Sequence, residues 1–455
     1  MLFSNRDLLK IALPLLIQQI LAVTIGMVDT MMVSYAGDAA VSGVSLVNSL
    51  DNMLVIVFSS LTTGGTVVVS QLMGKKDLPA ARSGAKQLLY VSTAVAAALT
   101  LVVQIFRTPL LTALFGKAEP AVMDSASGYF FFVSLSFPFL AIQSACNAIQ
   151  RVEGKTTTAM LVSVCANLLN LLGNAVLIIG FDMGAAGAAI STMISRLVAA
   201  AVMLVVVGSH KNTLYVDRLL HYRPDFPVIR KILRVGIPNG IEDGMFNFGK
   251  LMTQSLISTM PTAVIAANAV ANTLANYQYM PGTAISNTMI PVVGRCIGAQ
   301  EPEQAKWYSR RLILWVYICL WAVAGATFLL ADPLIGLYDL SEESSQIARQ
   351  LIYFHAAWAI VIWPIAFTLP AAFRAAGDVK YPMVVSMLSM WTFRVALAYF
   401  LAQPQVEVFG LTIPGLNMGI MGVWTAMMVD WVFRTVLYLS HYLRGKWLRT
   451  GSLVK

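Results

Sequence analysis

The composition of the chain excludes a soluble globular fold. Of its 455 residues, 58% are hydrophobic and 12% are charged, with a formal net charge of +9, whereas soluble domains carry about 25% charged residues. Apolar runs long enough to cross a hydrocarbon core recur along the whole chain. We therefore predict an all-α, multi-pass membrane protein, and we expect no cleavable signal peptide because the first apolar run is too long for one.

Hydropathy and helix-breaking residues predict twelve transmembrane helices. In chain order the predicted spans are residues 8–34, 41–73, 84–106, 124–149, 156–180, 185–208, 228–258, 263–298, 308–331, 350–373, 381–402 and 418–442. The second and the eighth are unusually long, which predicts strong tilting or an extension beyond the bilayer.

Basic residues are concentrated in alternate connections between these spans. The rich set comprises Arg6, Lys10, Lys75, Lys76, Arg82, Lys86, Arg151, Lys155, Lys211, Arg218, Arg223, Arg230, Lys231, Arg234, Lys306, Arg310, Arg311, Arg374, Lys380, Arg444, Lys446 and Arg449. The poor set comprises Arg107, Lys117 and Arg349. Because short cytoplasmic loops are enriched in Lys and Arg, both termini are predicted to be cytoplasmic, in a plasma (inner) membrane. This bias explains the net charge, and no nucleic-acid partner is expected.

The cysteines indicate neither a disulfide scaffold nor a metal site. All four lie in or beside apolar segments, without metal-ligand spacing: Cys146, Cys165, Cys296 and Cys319. We expect no cofactor.

The chain contains an internal repeat with an offset of 224 residues. Pro14 then aligns with Pro238, the stretch NSLDNM with NTLANY, and Gly74 with Gly298. With a slip of one residue, QRVEGK aligns with FRAAGD. Six helices per half predict a parallel repeat, with an N-lobe at residues 1–208, a cytoplasmic linker at 209–227 and a C-lobe at 228–455. Such repeats occur in secondary transporters.

Segments in both halves resemble one transporter family. In the first half these are ALPLLIQQILAVTIGMVDTMMVSYAG, QLMGKKDLPAAR, NAIQRVEGKTTTAMLVSVCANLLNLLGNAVLI and GAAGAAISTMISR. In the second half they are VGIPNGIEDGMF, ANAVANTLANYQYMPGTAISNT, FRAAGDVKYPM and GVWTAMMVDWVFR. The chain resembles the multidrug and toxic compound extrusion (MATE) family over essentially its whole length.

The resemblance implies a cation-coupled antiporter. Such proteins exchange H⁺ or Na⁺ inward for amphipathic organic cations outward, by alternating access through a cleft between two lobes. The expected partners are small amphipathic molecules and the lipid bilayer, and we expect a monomer.

The first half offers a candidate site for the coupling cation. Asp29 matches the family's helix 1 aspartate, and Gln18 lies on the same helical face. Asn170 and Asn174 share a face of helix 5, and Asn174 stands where part of the family has an aspartate. An amide carbonyl can serve as a cation ligand. The alternatives are a helix-end acid that reaches water, for Asp29, and hydrogen bonds between helices, for the asparagines.

Matching polar patches lie in the two halves and are candidates for the walls of the cleft. The first consists of Asn48, Asp51 and Asn52, and the second of Asn272, Asn276, Tyr277 and Gln278. Hydrogen bonding between packed helices is the alternative for both.

A polar stripe follows one face of helix 7. Its members step by three or four residues and are predicted to line the cleft: Asn239, Asp243, Asn247, Lys250 and Gln254. Glu242 lies beside this stripe, where the repeat has Gln18. Some family members carry an acid about one turn later, where Phe246 stands here, and Glu242 is a candidate to do that work. Whether it is a ligand or half of a buried pair stays open.

Three further ionisable residues lie within predicted helices of the second half. His355 is either hydrogen-bonded or paired with a carboxylate, and a His–carboxylate pair would favour proton coupling. Arg394 and Asp430 are candidates to pair with each other, or Arg394 with Glu242. Asp430 matches a common acidic position of the family.

Two other function classes are alternatives to an antiporter. A lipid or lipid-linked oligosaccharide flippase of the wider superfamily would use cationic residues to hold pyrophosphate, and Lys250 and Arg394 keep this alternative open. A membrane-embedded enzyme is not expected, since the sequence shows no paired metal motif, nucleophile elbow or phosphate loop.

Overall fold

The structure, a computed structural model, describes residues 2–115, 118–217, 223–338, 340–408, 411–449 and 453. Lys117 and Arg218, two of the basic residues from which the orientation was predicted, lie outside the described residues. The chain divides into two compact units, Met1–Gly240 with Leu453–Lys455, and Ile241–Ser452.

In the part that is described, the first half consists of helices joined by short connections. Its helices are α1 (Asn5–Ser34), α2 (Asp38–Gly74), α3 (Leu78–Phe115), α4 (Pro120–Leu135), α5 (Phe137–Glu153), α6 (Thr156–Asn174) and α7 (Gly184–Gly208). A π-helical segment, Ala175–Gly180, extends α6.

The second half repeats this pattern with more interruptions. Its helices are α8 (Phe226–Ile257), α9 (Thr262–Gly298), α10 (Pro302–Gly336), α11 (Glu342–Trp363), α12 (Leu369–Ala375), α13 (Lys380–Ser389), α14 (Leu397–Ala402), α15 (Gly419–Leu443) and α16 (Lys446–Arg449). π-helical segments join α11 to α12 (Pro364–Thr368) and α13 to α14 (Met390–Ala396). Strands β1 (Gln405–Val408) and β2 (Leu411–Pro414) pair antiparallel, with Val406 opposite Ile413.

Each of the twelve predicted spans is helical. Nine described helices are long and apolar enough to cross a membrane, and α4 with α5, bent by 46°, makes a tenth. The long helices α8 and α9 are not among the helices that are apolar enough by this measure. α9 is 37 residues long but carries several asparagines, and α8 carries the charged residues of the predicted stripe. The two helices therefore contain the predicted polar stripe and the predicted polar patch of the second half.

The backbone confirms the internal repeat. Residues with positive φ recur in matching pairs: Lys76 and Gln300 (64° and 60°), Gly154 and Gly377 (83° and 83°), Asp182 and Asn417 (50° and 50°), and Gly184 and Gly419 (56° and 57°). The first pair has the predicted offset, and the second has the predicted slip of one. Because few residues adopt this conformation, its recurrence shows that the two halves share the same turns.

Local sequence explains where several helices begin and end. At the start of α1, the Ser4 side chain accepts a hydrogen bond from the Asp7 amide, and the Asp7 carboxylate accepts one from the Ser4 amide. This capping box satisfies two amides that the helix leaves unpaired. At the end of α5, Gly154 adopts the left-handed conformation that terminates the helix.

Within the first unit, α2 and the start of α8 pack backbone to backbone. A Cβ atom added at Gly64 would lie 2.4 Å from the Ile232 carbonyl oxygen, and one added at Gly236 would lie 3.2 Å from the Ser60 carbonyl oxygen. Glycines at these positions therefore permit a close helix–helix approach, as small residues commonly do in membranes.

We expect Gly64→Ala to lower the stability of the protein. The new methyl group has no room unless α2 and α8 separate, and such overpacking costs about 1–3 kcal/mol. The melting temperature of the detergent-purified protein measures this effect. Gly128→Ala is the control, because a Cβ at Gly128 meets no atom of the described residues within 4 Å. Equal melting temperatures for the two variants would contradict the packing argument.

Candidate functional site

Asp29 and Asn174 are brought together in the first half. Asp29 lies near the end of α1 and Asn174 is the last residue of α6. The Asn174 amide nitrogen donates a hydrogen bond to the Asp29 carboxylate. Asn174 is buried, and its amide oxygen has no hydrogen-bond partner among the described residues. A carboxylate and a buried amide oxygen therefore lie together on adjoining helices.

A second carboxylate of the first half is already neutralised. Asp51 on α2 accepts a hydrogen bond from Arg196 on α7, at 3.1 Å, and the two side chains are largely buried. Arg196 also donates to the Ser136 hydroxyl at 2.8 Å. Asn48, one turn from Asp51, accepts a hydrogen bond from the Tyr129 hydroxyl at 3.2 Å. Arg196 was not among the predicted site residues, although it is an arginine within a predicted span.

The other predicted residues of the first half differ in their contacts. The Gln18 amide donates to Ser163 on α6 at 3.0 Å. The Asn170 amide donates to Ser191 and Thr192 on α7 at 3.3 and 3.2 Å, as expected of hydrogen bonds between helices. Asn52 is exposed. Among the predicted polar residues of the first half, Asn174 is therefore the one with a described hydrogen bond to Asp29.

Glu242 forms a buried ion pair with Arg374. The distance between Glu242 Oε2 and Arg374 Nη2 is 2.8 Å, and the two side chains are 8% and 16% exposed. The alternative that paired Glu242 with Arg394 is therefore wrong. Arg374 was predicted to lie in a basic connection, but it lies in the last turn of α12. The distribution of Lys and Arg between connections cannot distinguish an arginine exposed in a loop from one whose side chain is buried against other helices.

Asp430 is the centre of a charged network in the second unit. Its carboxylate accepts hydrogen bonds from Ser389 and from Arg434, the latter at 2.8 Å. Arg434 also donates to the Ser386 hydroxyl and carbonyl at 2.7 and 3.2 Å. The predicted proximity of Arg394 is confirmed at 3.8 Å. The stronger partner, Arg434, was missed, although its i, i+4 spacing from Asp430 is a readable signal.

Three cationic side chains surround the ring of Phe246. Lys250 Nζ, Arg394 Cζ and Arg434 Cζ lie 5.5, 5.3 and 5.2 Å from its centroid. We call these residues, with Asp430, the Phe246 cluster. Gly249 on α8 permits a close approach of Met390. Met390 lies in the π-helical segment that also carries Arg394, so this approach brings Arg394 close to α8.

The predicted stripe on α8 does not have one common environment. Asn239 is buried and belongs to the first unit, whereas Asp243, Asn247 and Lys250 belong to the second. The Asn247 amide donates to the Asp243 carbonyl oxygen at 2.8 Å, so it is satisfied within its own helix. Lys250 is the exposed member of these four.

His355 is buried in an aromatic cluster. Its ring shares a hydrogen bond with the Tyr279 hydroxyl and lies against Trp424 and Trp431 at centroid distances of 5.5 and 5.6 Å. The hydrogen-bonded alternative for His355 therefore holds, and among the ion pairs of the described chain it has none with a carboxylate.

The polar patch on α9 is mixed. Asn272 donates to the Asn268 carbonyl oxygen at 3.0 Å, and Asn272 and Asn276 are exposed, whereas Tyr277 is half-buried and Gln278 is buried. In the described part of the chain, no group of three or more His, Cys, Asp or Glu side chains is placed to hold a metal ion.

Comparisons with known proteins fit this architecture. The profile of the MatE family matches residues 14–176 and 238–400, which start 224 residues apart and together cover more than two thirds of the chain. The uncharacterised transporter YisQ of Bacillus subtilis is 28% identical, over 98% of this chain and 95% of its own. The probable multidrug resistance protein NorM of Thermotoga maritima is 26% identical, over 99% and 95%.

The fold is also found among solved structures. The crystal structure of a MATE protein in a bent conformation superposes with a TM-score of 0.87 at 18% identity, over 98% of this chain and 96% of the other. With two matched segments, one in each half, the chain belongs to the MatE family, the multidrug and toxic compound extrusion transporters.

Proposed function

We propose that the protein exports amphipathic small molecules, organic cations among them, in exchange for H⁺ or Na⁺ moving inward. The names of relatives such as the probable multidrug resistance protein NorM support export of drugs. The proposal includes lobes at residues 1–208 and 228–455 joined by 209–227, cytoplasmic termini, an inner-membrane location and a monomeric transporter.

The contact between Asp29 and Asn174 carries the proposal. Ionisable groups within transmembrane helices are costly and are usually functional. The Asp29 carboxylate is half-buried and lacks a basic partner among the described ion pairs, in contrast to Asp51. A proton on Asp29, or a Na⁺ held by its carboxylate and the free oxygen of Asn174, would neutralise this charge. Such hard cations prefer oxygen ligands.

Coupling follows from competition for one negative charge. When a cation neutralises Asp29, an organic cation loses the electrostatic attraction of this carboxylate and dissociates. When the cation leaves, the carboxylate is again available to the substrate. A ligand shifts a conformational equilibrium only through its different affinity for the two states. The neutral and charged forms of Asp29 provide that difference, with Asn174 holding the carboxylate in place.

Efflux from proteoliposomes under separate gradients tests the proposal. Protein reconstituted into liposomes loaded with ethidium is exposed to an imposed H⁺ gradient, an imposed Na⁺ gradient or neither. Efflux that accelerates with one gradient, and that collapses when the gradient is dissipated, is the expected result. Efflux equal in all three conditions would refute cation coupling.

A second candidate function, a lipid or lipid-linked oligosaccharide flippase, is favoured by the cations of the Phe246 cluster. They would attract the phosphates of such a lipid. Translocation of a fluorescent lipid analogue in the same liposomes, without ethidium efflux, would select this function over drug export.

A further inference from the structure

The Phe246 cluster carries more positive than negative charge. Lys250, Arg394 and Arg434 are cationic, and Asp430 is the one carboxylate within 4 Å of any of their nitrogen atoms among the described residues. Excess charge among transmembrane helices is unfavourable unless a counter-charge is bound. The acids of α8 do not supply it among the described residues, since Glu242 pairs with Arg374 and Asp243 forms no ion pair within 4 Å with a cation of the cluster.

Asp430 and Arg434 form an ion pair with each other. Arg434 directs its guanidinium to Asp430 and to both oxygen atoms of Ser386. Asp430 is fully buried and also accepts a hydrogen bond from Ser389. This part of the cluster is a closed network, which leaves the other two cations with little compensation.

Arg394 and Lys250 retain unused hydrogen-bond donors. Arg394 donates to the Met427 sulfur atom at 3.1 Å, a weak acceptor, and its contact with Asp430 is 3.8 Å long. The Lys250 ammonium group contacts the Phe246 ring but has no hydrogen bond or ion pair with the described residues, and the residue is exposed. Cation–π contacts offset part of the charge, but they do not use these donors.

We infer that Lys250 and Arg394 bind an anionic oxygen group, a carboxylate or a phosphate. Arg394 supplies a planar set of donors and Lys250 a mobile point charge, a combination suited to such groups. The bound group would remove the repulsion between the two cations, which converge on one ring. If the protein is the exporter proposed above, its substrates include zwitterionic and anionic molecules as well as organic cations. The role of this site in transport rests on that proposed function, whereas the binding of the anionic group does not.

A matched pair of dyes tests the inference by binding alone. Rhodamine 110 carries a free carboxylate, and rhodamine 123 is its methyl ester. Fluorescence polarisation with the detergent-purified full chain gives the affinity for each. In Lys250→Gln and in Arg394→Gln, we expect affinity for rhodamine 110 to fall about tenfold, because charge-assisted hydrogen bonds are lost, while affinity for the ester is unchanged.

The controls separate this site from general effects of charge and folding. Lys380→Gln removes an exposed charge at the start of α13 and should leave both affinities unchanged. Melting temperatures report folding. Should Arg394→Gln be unstable, Lys250→Gln carries the test, because the Lys250 ammonium group has no hydrogen bond to another described residue. Rhodamine 110 affinity that is unchanged in the variants, or equal losses for both dyes, would overturn the inference.

Nanodiscs identify the source of the anionic group. If a lipid headgroup occupies the site, phosphatidylglycerol will weaken rhodamine 110 binding to the wild type relative to phosphatidylcholine, and Lys250→Gln will abolish that competition. If the two lipids give the same dye affinity, the group belongs to a small molecule. Because no gradient is used, a failure of coupled export leaves this result intact, and the reverse also holds.

Discussion

Asp29→Asn is expected to abolish cation-driven export while leaving the protein folded. The amide preserves the size of the side chain and keeps an oxygen atom that can accept the hydrogen bond from Asn174. It removes the charge for which cation and substrate compete in the proposed exchange. Loss of a hydrogen bond or contact to a charged group is worth about 1.5–3 kcal/mol, which corresponds to about 10- to 100-fold in affinity.

Ethidium efflux under the driving gradient measures the effect, with Asp124→Asn as the control. Asp124 is an exposed acid on α4, so its variant should export at the wild-type rate. Asn174→Ala should weaken coupling without abolishing it, since the carboxylate remains. Wild-type efflux by Asp29→Asn would show that the coupling cation binds elsewhere.

Glu242→Gln is expected to destabilise the protein because it leaves Arg374 buried without its counter-ion. Removal of one partner from a buried pair costs about 3–5 kcal/mol. The pair has a distance of 2.8 Å and is nearly inaccessible to solvent, so water cannot replace the lost carboxylate. A lower melting temperature of the detergent-purified variant is the measurement.

A double variant distinguishes a structural pair from a transport ligand. If the carboxylate mainly neutralises Arg374, Glu242→Leu combined with Arg374→Met should recover most of the stability lost in Glu242→Gln, since replacing both partners by apolar residues of similar volume can be nearly neutral. Glu303 and Lys306 form a 2.7 Å pair whose side chains are 80% and 33% exposed. Glu303→Gln should therefore change the melting temperature little. A Glu242→Gln variant as stable as the wild type would contradict the structural role.

The spans and the repeat could be predicted because they depend on composition and on local turns. Twelve apolar runs predicted twelve helical segments, and the offset between Lys76 and Gln300 appears both in the alignment of the halves and in the backbone. The π-helical segments could not be predicted, since each is a small change in hydrogen bonding inside a continuous apolar run. The segment Met390–Ala396 nevertheless carries Arg394.

Pairings between distant helices were the least predictable part of the candidate site. Asp29 and Asn174 were each singled out, but their hydrogen bond joins residues 145 positions apart, a contact that helical periodicity does not encode. Arg374 was assigned to a loop because a basic residue near a helix end fits the orientation rule equally well. The three cations around Phe246 come from α8, α15 and the segment between α13 and α14, so the excess charge became evident only in three dimensions.

Competition between the coupling cation and ethidium tests the central claim most directly. The affinity of the purified protein for ethidium is measured by fluorescence polarisation at increasing Na⁺ and, separately, at decreasing pH, for the wild type and for Asp29→Asn. We expect one of the two cations to weaken ethidium binding to the wild type, and neither to affect binding to Asp29→Asn. Equal competition in both proteins would show that Asp29 is not the residue that couples cation to substrate.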